Sequence, residues 1–258
     1  MAWPAAWITP QWPAPANVRA VCTTRAGGIS QPPYDSLNLG DHVGDAAEAV
    51  ASNRAMLAAA LGARPVFLRQ VHGARTVPLA ADTPDGLEAD GCVTTAAGVA
   101  CTMMVADCLP VLFAAADGSA VGAAHAGWRG LAGADGCDVL ESVCDAFREL
   151  AQRPTPGQTL AWLGPCIGPD AFEVGAEVKA AFEARDASAA ACFKPHGDGK
   201  WLADLPGLAR RRLRVLGITR IYGNDSGRDW CTVANPSRFF SHRRDRVSGR
   251  FAACVWLA

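Results

Sequence analysis

A chain of 258 residues that is 50% apolar is long enough to bury one large core or two small ones. Its formal net charge of −1 excludes a general electrostatic attraction to nucleic acid or to a membrane surface, and no apolar run reaches the length needed to cross a bilayer. Ten cysteines with no Cys-x-x-Cys pair, behind a Pro-containing N-terminal stretch that lacks a basic start, predict reduced thiols in a cytoplasm. They do not predict an exported disulfide framework, a zinc ribbon or a thioredoxin-type centre.

Residues 1–17 are rich in Trp and Pro and read as an extended lead-in to a strand over residues 18–24. Next come Arg25-Ala26-Gly27-Gly28 and Ser36-Leu37-Asn38-Leu39-Gly40. Such glycines let backbone amides point into one concavity, and Arg25 offers a planar fork for phosphate or carboxylate; an ordinary Gly-rich turn with a solvated arginine explains the local pattern more simply. Residues 45–62 predict a helix, capped by Asp45 with Glu48 as its capping-box partner and closed by Gly62. Asn53 and Arg54 read either as facing a site or, more simply, as surface residues of this helix. A strand over residues 65–71 ends at His72, with Leu68, Gln70 and His72 on one face, and a second strand covers 75–79. The loop at 82–91 carries Asp90, which reads equally as a partner for a site and as a turn carboxylate. A strand over 92–94 follows.

The stretch from Val99 to Leu131 organises the middle of the chain. It reads as apolar strand, a loop holding Asp107-Cys108, apolar strand, turn, small-residue strand, and then His125 before Gly127-Trp128-Arg129-Gly130. Asp117-Gly118 predicts a two-residue hairpin turn, because Asp-Gly tolerates positive φ. With those residues at the tip, Ala116 pairs with Ser119 and His125 falls opposite Pro110. Cys108, two residues beyond Pro110, then shares a face with His125, and diagonal neighbours in a sheet lie about 7–8 Å apart. The turn alone therefore predicts a thiol and an imidazole converging at one end of a hairpin.

A helix follows, with Leu140, Val143, Cys144, Phe147 and Leu150 on one face and Cys137 seven residues before Cys144 on the same helix. Residues 153–157 end it with two prolines. A strand over 160–163 leads into the stiff turn Gly164-Pro165-Cys166-Ile167-Gly168-Pro169. Helices are expected over 172–184 and 205–216, the latter with a solvated arginine face, and a loop at 186–200 holds an exposed His196. A strand over 218–222, a polar loop, His242-Arg243-Arg244-Asp245 and an alternating strand over 251–257 complete the chain. Arg243 and Arg244 read as structural salt-bridge partners or as groups within reach of a ligand anion.

Two of the five histidines, His72 and His125, sit at strand ends among small residues. With Cys108 they form a soft N/N/S donor set suited to zinc. Three protein ligands leave a fourth position for water or substrate, the catalytic arrangement, whereas a structural site wants a fourth protein donor, for which Asp90, Asp107 and other cysteines are available.

Arg69-Gln70-Val71-His72-Gly73, Ala89-Asp90-Gly91, Ala106-Asp107-Cys108-Leu109-Pro110-Val111 and Ala124-His125-Ala126-Gly127-Trp128-Arg129-Gly130-Leu131 resemble the signature blocks of the polyphenol oxidase "laccase-domain" family, whose members are also described as bacterial-type purine nucleoside phosphorylases. Thr23-Thr24-Arg25-Ala26-Gly27-Gly28, Ser36-Leu37-Asn38-Leu39-Gly40, Leu163-Gly164-Pro165-Cys166-Ile167-Gly168 and Arg243-Arg244-Asp245 extend the resemblance over nearly the whole chain. It implies a single α/β domain over residues 1–258, with mixed β-sheets layered with helices. It implies His72, Cys108 and His125 as metal ligands and catalysis through that metal. It also implies release of free base and ribose 1-phosphate from adenosine, inosine or 5′-methylthioadenosine, with adenosine deamination as a second activity. The partners would be a purine nucleoside and phosphate. One departure is His242, where the family pattern has Tyr.

Within that resemblance, Arg25 with Asn38 and Arg129 are the expected phosphate-binding residues, and Asp107 is a proton relay or a turn cap. A copper-dependent polyphenol oxidase, as the family name implies, would need His-rich copper sites with His-x-His pairs, and this chain has five histidines and no such pair. A single zinc, or a single copper in its place, fits the sequence better. Two rivals stand beside phosphorolysis: a cysteine-dependent hydrolase with Cys108 as nucleophile and His125 as base, and an inert protein with structural zinc.

Overall fold

Strands that are apolar at every position need cover on both faces, and this requirement builds the molecule. The computed structural model describes residues 4–133, 136–150 and 158–258. In chain order the elements are β1 (Val18–Cys22), α1 (Ala47–Leu61), β2 (Arg64–Phe67), β3 (Thr76–Pro78), β4 (Gly91–Thr94), β5 (Val99–Val105), β6 (Leu109–Ala115), β7 (Val121–Ala126), α2 (Trp128–Ala132), α3 (Val139–Leu150), β8 (Thr159–Leu163), β9 (Glu173–Val174), α4 (Ala176–Glu183), β10 (Phe193–Pro195), β11 (Trp201–Ala203), α5 (Leu205–Val215), β12 (Arg220–Gly223), α6 (His242–Asp245) and β13 (Phe251–Leu257). Strands β5, β6, β7 and β13 are buried at every residue.

Two large sheets stack face to face. One has four strands in the order β1-β13-β5-β2, the other six in the order β12-β8-β6-β7-β4-β3, and a small sheet β10-β11-β9 lies apart. Side-chain alternation then fills three layers. Cys101 and Met103 of β5 meet Leu112 and Ala114 of β6 between the sheets. Ala100 and Met104 point the other way, toward Leu57 and Leu61 of α1. Val111 and Phe113 point outward, toward Val143 and Phe147 of α3. The result is helix, sheet, sheet, helix. Both large sheets are mixed: β2 runs parallel to β5 while β13 runs antiparallel to it, and β8 is parallel to β12 and antiparallel to β6. This is the α/β architecture of mixed sheets layered with helices.

The hairpin register is the expected one, with Pro110 opposite His125. The turn is wider than two residues. Ala115 N–H donates to the Ala120 carbonyl, Gly118 N–H donates to the Ala115 carbonyl at 3.0 Å, and of Asp117 and Gly118 only Gly118 has positive φ, +75°. A loop of either width keeps the same index sum across the pair, so the register survives the different turn.

Several local expectations are corrected. Helix α1 has no capping box: its N-cap is Ala46 without a side-chain cap, and Asp45 instead accepts from Ser30 Oγ at 2.6 Å and Asn38 Nδ2 at 2.9 Å. Asn53 is fully buried, not a surface residue. The strand expected to reach residue 71 stops at Phe67, because the Gln70 side chain takes over the pairing: its Nε2 donates to the Met104 carbonyl and its Oε1 accepts from Met104 N–H. Cys137 precedes α3 and is exposed. Phe172 lies outside α4, before the short β9. The Pro-containing helix end expected at 153–157 lies outside the described residues.

Candidate metal centre

The chain crosses from one large sheet to the other at Ala106-Asp107-Cys108, between β5 and β6. Such a crossing opens the seam between sheets, and here a cavity of about 450 Å³ lies against it, lined by His72, Cys108 and His125. One ligand atom from each of these three residues lies within 4.8 Å of the other two. His125 is buried on β7, Cys108 is half-buried, and His72 is exposed on the loop after β2. The two imidazoles meet edge to face with ring centroids 4.8 Å apart.

Asp90, fully buried just before β4, organises both histidines. Its carboxylate accepts from the backbone N–H groups of Val71, His72 and Gly73 at 3.2, 2.9 and 2.7 Å. The same carboxylate lies 2.8 Å from His125 Nδ1, which donates to it and leaves Nε2 as the free ring nitrogen. A ligating histidine is commonly oriented in this way, by a carboxylate on its other nitrogen. The tight loop bends His72 to φ +63°, and Asp107 at the crossing takes φ +92°, conformations that a non-glycine residue holds only when its surroundings enforce them. Gly127 completes the cradle. A Cβ there would lie 2.9 Å from His72 Cδ2 and 3.0 Å from Cys108 Sγ, so only glycine leaves the three donors room.

Burial alone would push the Cys108 thiol up, but the His125 charge and the hydrogen bonds of both imidazoles bring it down to about 6. Burial alone would pull His125 down, whereas the Cys108 charge and the Asp90 hydrogen bond raise it to about 9. Asp90 moves below the usual carboxylate range: its burial opposes this, and His125 and the backbone N–H donors outweigh the burial. Near neutral pH the site therefore pairs a Cys108 thiolate with a protonated His125, and a divalent ion binding there would take the place of the His125 Nε2 proton. This borderline-soft donor set fits a divalent ion such as zinc. Among the described residues no fourth His, Cys, Asp or Glu joins it. Both carboxylates that the sequence offers as fourth donors are engaged elsewhere: Asp90 as above, and Asp107 by Thr232 Oγ1 at 2.5 Å and Arg243 N–H at 2.6 Å.

A family model described as multi-copper polyphenol oxidoreductase laccase matches residues 19–258. The chain belongs to this family. Among its relatives, a Pseudomonas aeruginosa protein named purine nucleoside phosphorylase is 50% identical over 98% of each chain. The Escherichia coli purine nucleoside phosphorylase YfiH is 48% identical over 97% of this chain and 98% of its own. A solved structure of a Neisseria meningitidis family protein superimposes with a TM-score of 0.88 at 46% identity, covering 98% of this chain and 99% of that one.

Of the other residues expected at the site, Asp107 and Arg243 line the cavity, and the three expected to bind phosphate are placed as follows. Arg25 is engaged internally: Nε and Nη2 donate to the Asp35 carbonyl and carboxylate, Nη1 to the Pro236 carbonyl, and the guanidinium stacks on Phe240. Asn38 is fully buried, with its amide shared among Gly40, Asp45 and the backbone N–H of Arg250. Arg129 is exposed over the Trp128 ring. None of the three is among the residues that line the cavity. Arg244 is likewise held, by Asp245 and backbone carbonyls. The arginines that do line the cavity are Arg243, which the sequence flagged, and Arg250, which it did not; the His42 and His242 side chains line it as well. Arg250 stands alone after Ser248-Gly249, with no neighbouring motif to mark it.

Proposed function

We propose that the protein is a zinc-dependent purine nucleoside phosphorylase acting on adenosine, inosine or 5′-methylthioadenosine, with adenosine deamination as a second activity at the same site. The observation that carries this reading is the convergence of His72, Cys108 and His125 on one cavity of about 450 Å³, within the range of small-molecule pockets. The names of the relatives supply the reaction class. A single three-donor cluster among the described residues favours one ion over the several coppers of the family's description.

His72, Cys108 and His125 would hold the ion, with Asp90 orienting His125 through Nδ1 so that Nε2 is the nitrogen left to ligate. When bound, a divalent ion supplies Lewis-acid polarisation of a substrate atom. In phosphorolysis an oxygen of hydrogen phosphate forms a bond to ribose C1′ as the C1′–N9 bond breaks. The bonding pair leaves with the purine, and the phosphate proton ends on the released base. In deamination, water adds at purine C6 and ammonia departs. Asp107 contributes by holding the α6 backbone at the cavity rim through the Arg243 N–H. Ten cysteines with no disulfide among them favour a reducing compartment, the cytoplasm.

The thiolate–imidazolium character of Cys108 and His125 favours one second reading, the cysteine-dependent hydrolase. Incubating the purified protein with adenosine and phosphate, with and without a chelator, separates the two. Adenine with ribose 1-phosphate, lost on chelation and restored by zinc, is the expected result; inosine reports the deamination. Neither product, or full turnover after chelation, overturns the proposal.

A further inference from the structure

Two arginines, Arg243 and Arg250, line the cavity. Arg244 of the same segment does not line it and pairs with Asp245. Arg250 is different. Its Nη1 donates to the Ser248 and Gly249 carbonyls at 2.8 and 3.0 Å, which fixes the plane of the guanidinium. Among the described residues, its Nε and Nη2 have no protein acceptor, and no carboxylate pairs with it. The backbone on either side is pinned as well: Arg250 N–H donates to Asn38 Oδ1, and its carbonyl accepts from Leu39 N–H. A Cβ on Gly40 would lie 2.8 Å from Arg250 Cγ, so the side chain is packed along its stem.

Burial lowers the Arg250 pKa, and the negative charges of Cys108 and Asp107 oppose that shift, which places the guanidinium within electrostatic reach of the metal-binding trio. Arg243 lines the same cavity. Its Nη1 donates to the Glu173 carbonyl at 3.0 Å and its guanidinium carbon lies 5.5 Å from the Phe172 ring centroid; it too has no carboxylate partner among the described residues. A half-buried guanidinium with an open edge is costly without an anion, and its planar fork matches a phosphoryl group through two parallel hydrogen bonds.

We propose that Arg250, seconded by Arg243, is the seat of the inorganic phosphate co-substrate in this cavity. The inference rests on the phosphorolysis reading, and it assigns the phosphate to residues other than the Gly-rich loop around Arg25. Asp107 acts as a positioning residue, because its carboxylate holds the Arg243 backbone while the oxygen of Thr232 braces it from the far side.

The test is binding of radiolabelled inorganic phosphate by equilibrium dialysis, together with the phosphate half-saturation of nucleoside cleavage, in wild type, Arg250→Met, Arg250→Lys, Arg243→Met and Arg25→Ala. Loss of charge-assisted hydrogen bonds predicts at least about tenfold weaker phosphate binding in Arg250→Met, a smaller loss in Arg250→Lys and Arg243→Met, and no change beyond about twofold in Arg25→Ala. Nucleoside half-saturation stays within about twofold throughout. Folded Arg250→Met with unchanged phosphate binding, or the main loss falling on Arg25→Ala, overturns the proposal. If Arg250→Met does not fold, Arg250→Lys and the exposed Arg243→Met decide in the same way. Competition by adenosine 5′-monophosphate that depends on Arg250, with inorganic phosphate binding independent of it, would assign the seat to a nucleotide phosphate and also overturn it. Wild type that binds phosphate through Arg250 yet cleaves nucleoside without consuming it keeps the seat and removes the phosphorylase reading. Phosphorolysis that ignores Arg250 does the reverse.

Discussion

Two polar clusters flank the four-stranded sheet, and they differ in whether their hydrogen bonds close. In the loop around Asn53, Gly27 and Gly28 N–H donate to Ser36 Oγ, and Ile29 N–H to Asn53 Oδ1. Asn53 Nδ2 in turn reaches Ser30 Oγ and the carbonyls of Ser36 and Asn38. Every donor there finds an acceptor within the cluster. At the cavity, by contrast, Asp90 satisfies the backbone and one side of His125, while Cys108 and the two imidazoles otherwise bond only to one another and the Arg250 edge has no protein acceptor among the described residues. Buried polar groups are normally satisfied. A glycine-rich, arginine-bearing loop that satisfies itself is architecture, while a polar cluster with unfilled valences is where a ligand belongs. Asn38 joins the two, since the same buried amide that closes the first cluster also holds the Arg250 backbone of the second.

The largest expected difference between the clusters and the rest of the chain is chemical. With Cys108 near 6, against Cys192 at about 11 and Cys144 and Cys254 at about 12, the thiolate fraction at pH 7 favours Cys108 by about 10⁴ or more. Its lower intrinsic nucleophilicity returns about 10²–10³ of that, and Cys144 and Cys254 are also buried, so alkylation of chelated protein should favour Cys108 about 100-fold over these three thiols. Because its folded value lies below that of a free thiol, the rate rises as pH passes upward through about 6 and levels off above; adding zinc should suppress it. Peptide mapping by mass spectrometry reads this. Uniform labelling, or a rate still climbing above pH 8, would break the contrast.

Next in size is Asp90→Asn, which keeps the shape but weakens the carboxylate's grip on His125 and the His72 backbone. Loss of such an orienting partner typically costs 10–100-fold, so about that reduction is expected in zinc affinity and in turnover. Zinc retained after dialysis and the nucleoside cleavage rate are the measurements, and unaltered affinity would count against the orienting role. The smallest expected effect on turnover is at the closed cluster. Asn53→Ala strips the acceptor from Ile29 N–H and the donor from two carbonyls, a loss of about 1–3 kcal/mol in stability by calorimetry, with kcat within about twofold at 25 °C. A tenfold fall in kcat while the protein stays folded would erase the distinction between the two regions.

Much of the frame is readable along the chain. The largely apolar run of β5 requires double cover, and the Asp117-Gly118 tip sets the index sum that brings His125 opposite Pro110, whatever the loop width; β13, read as alternating, is instead buried at every residue. Local signals misled where a side chain answered to a distant partner. Asp45 reads as a helix cap and binds Ser30 and Asn38 instead, and Gln70 reads as a strand residue and pairs with the backbone of Met104 through its side chain.

The sequence by itself determined the longer strands and helices, the hairpin register that brings Cys108 near His125, and the family. Tertiary structure alone decided that β13 runs between β1 and β5, that the chain changes sheets at Asp107-Cys108, and that this seam gathers His72 from one loop and Arg250 from the start of β13. The physical reason is range. Periodicity and turn chemistry act over a few residues and are written in the local pattern, whereas the pairing of distant strands follows from burying two apolar faces at once, a condition that no single segment records.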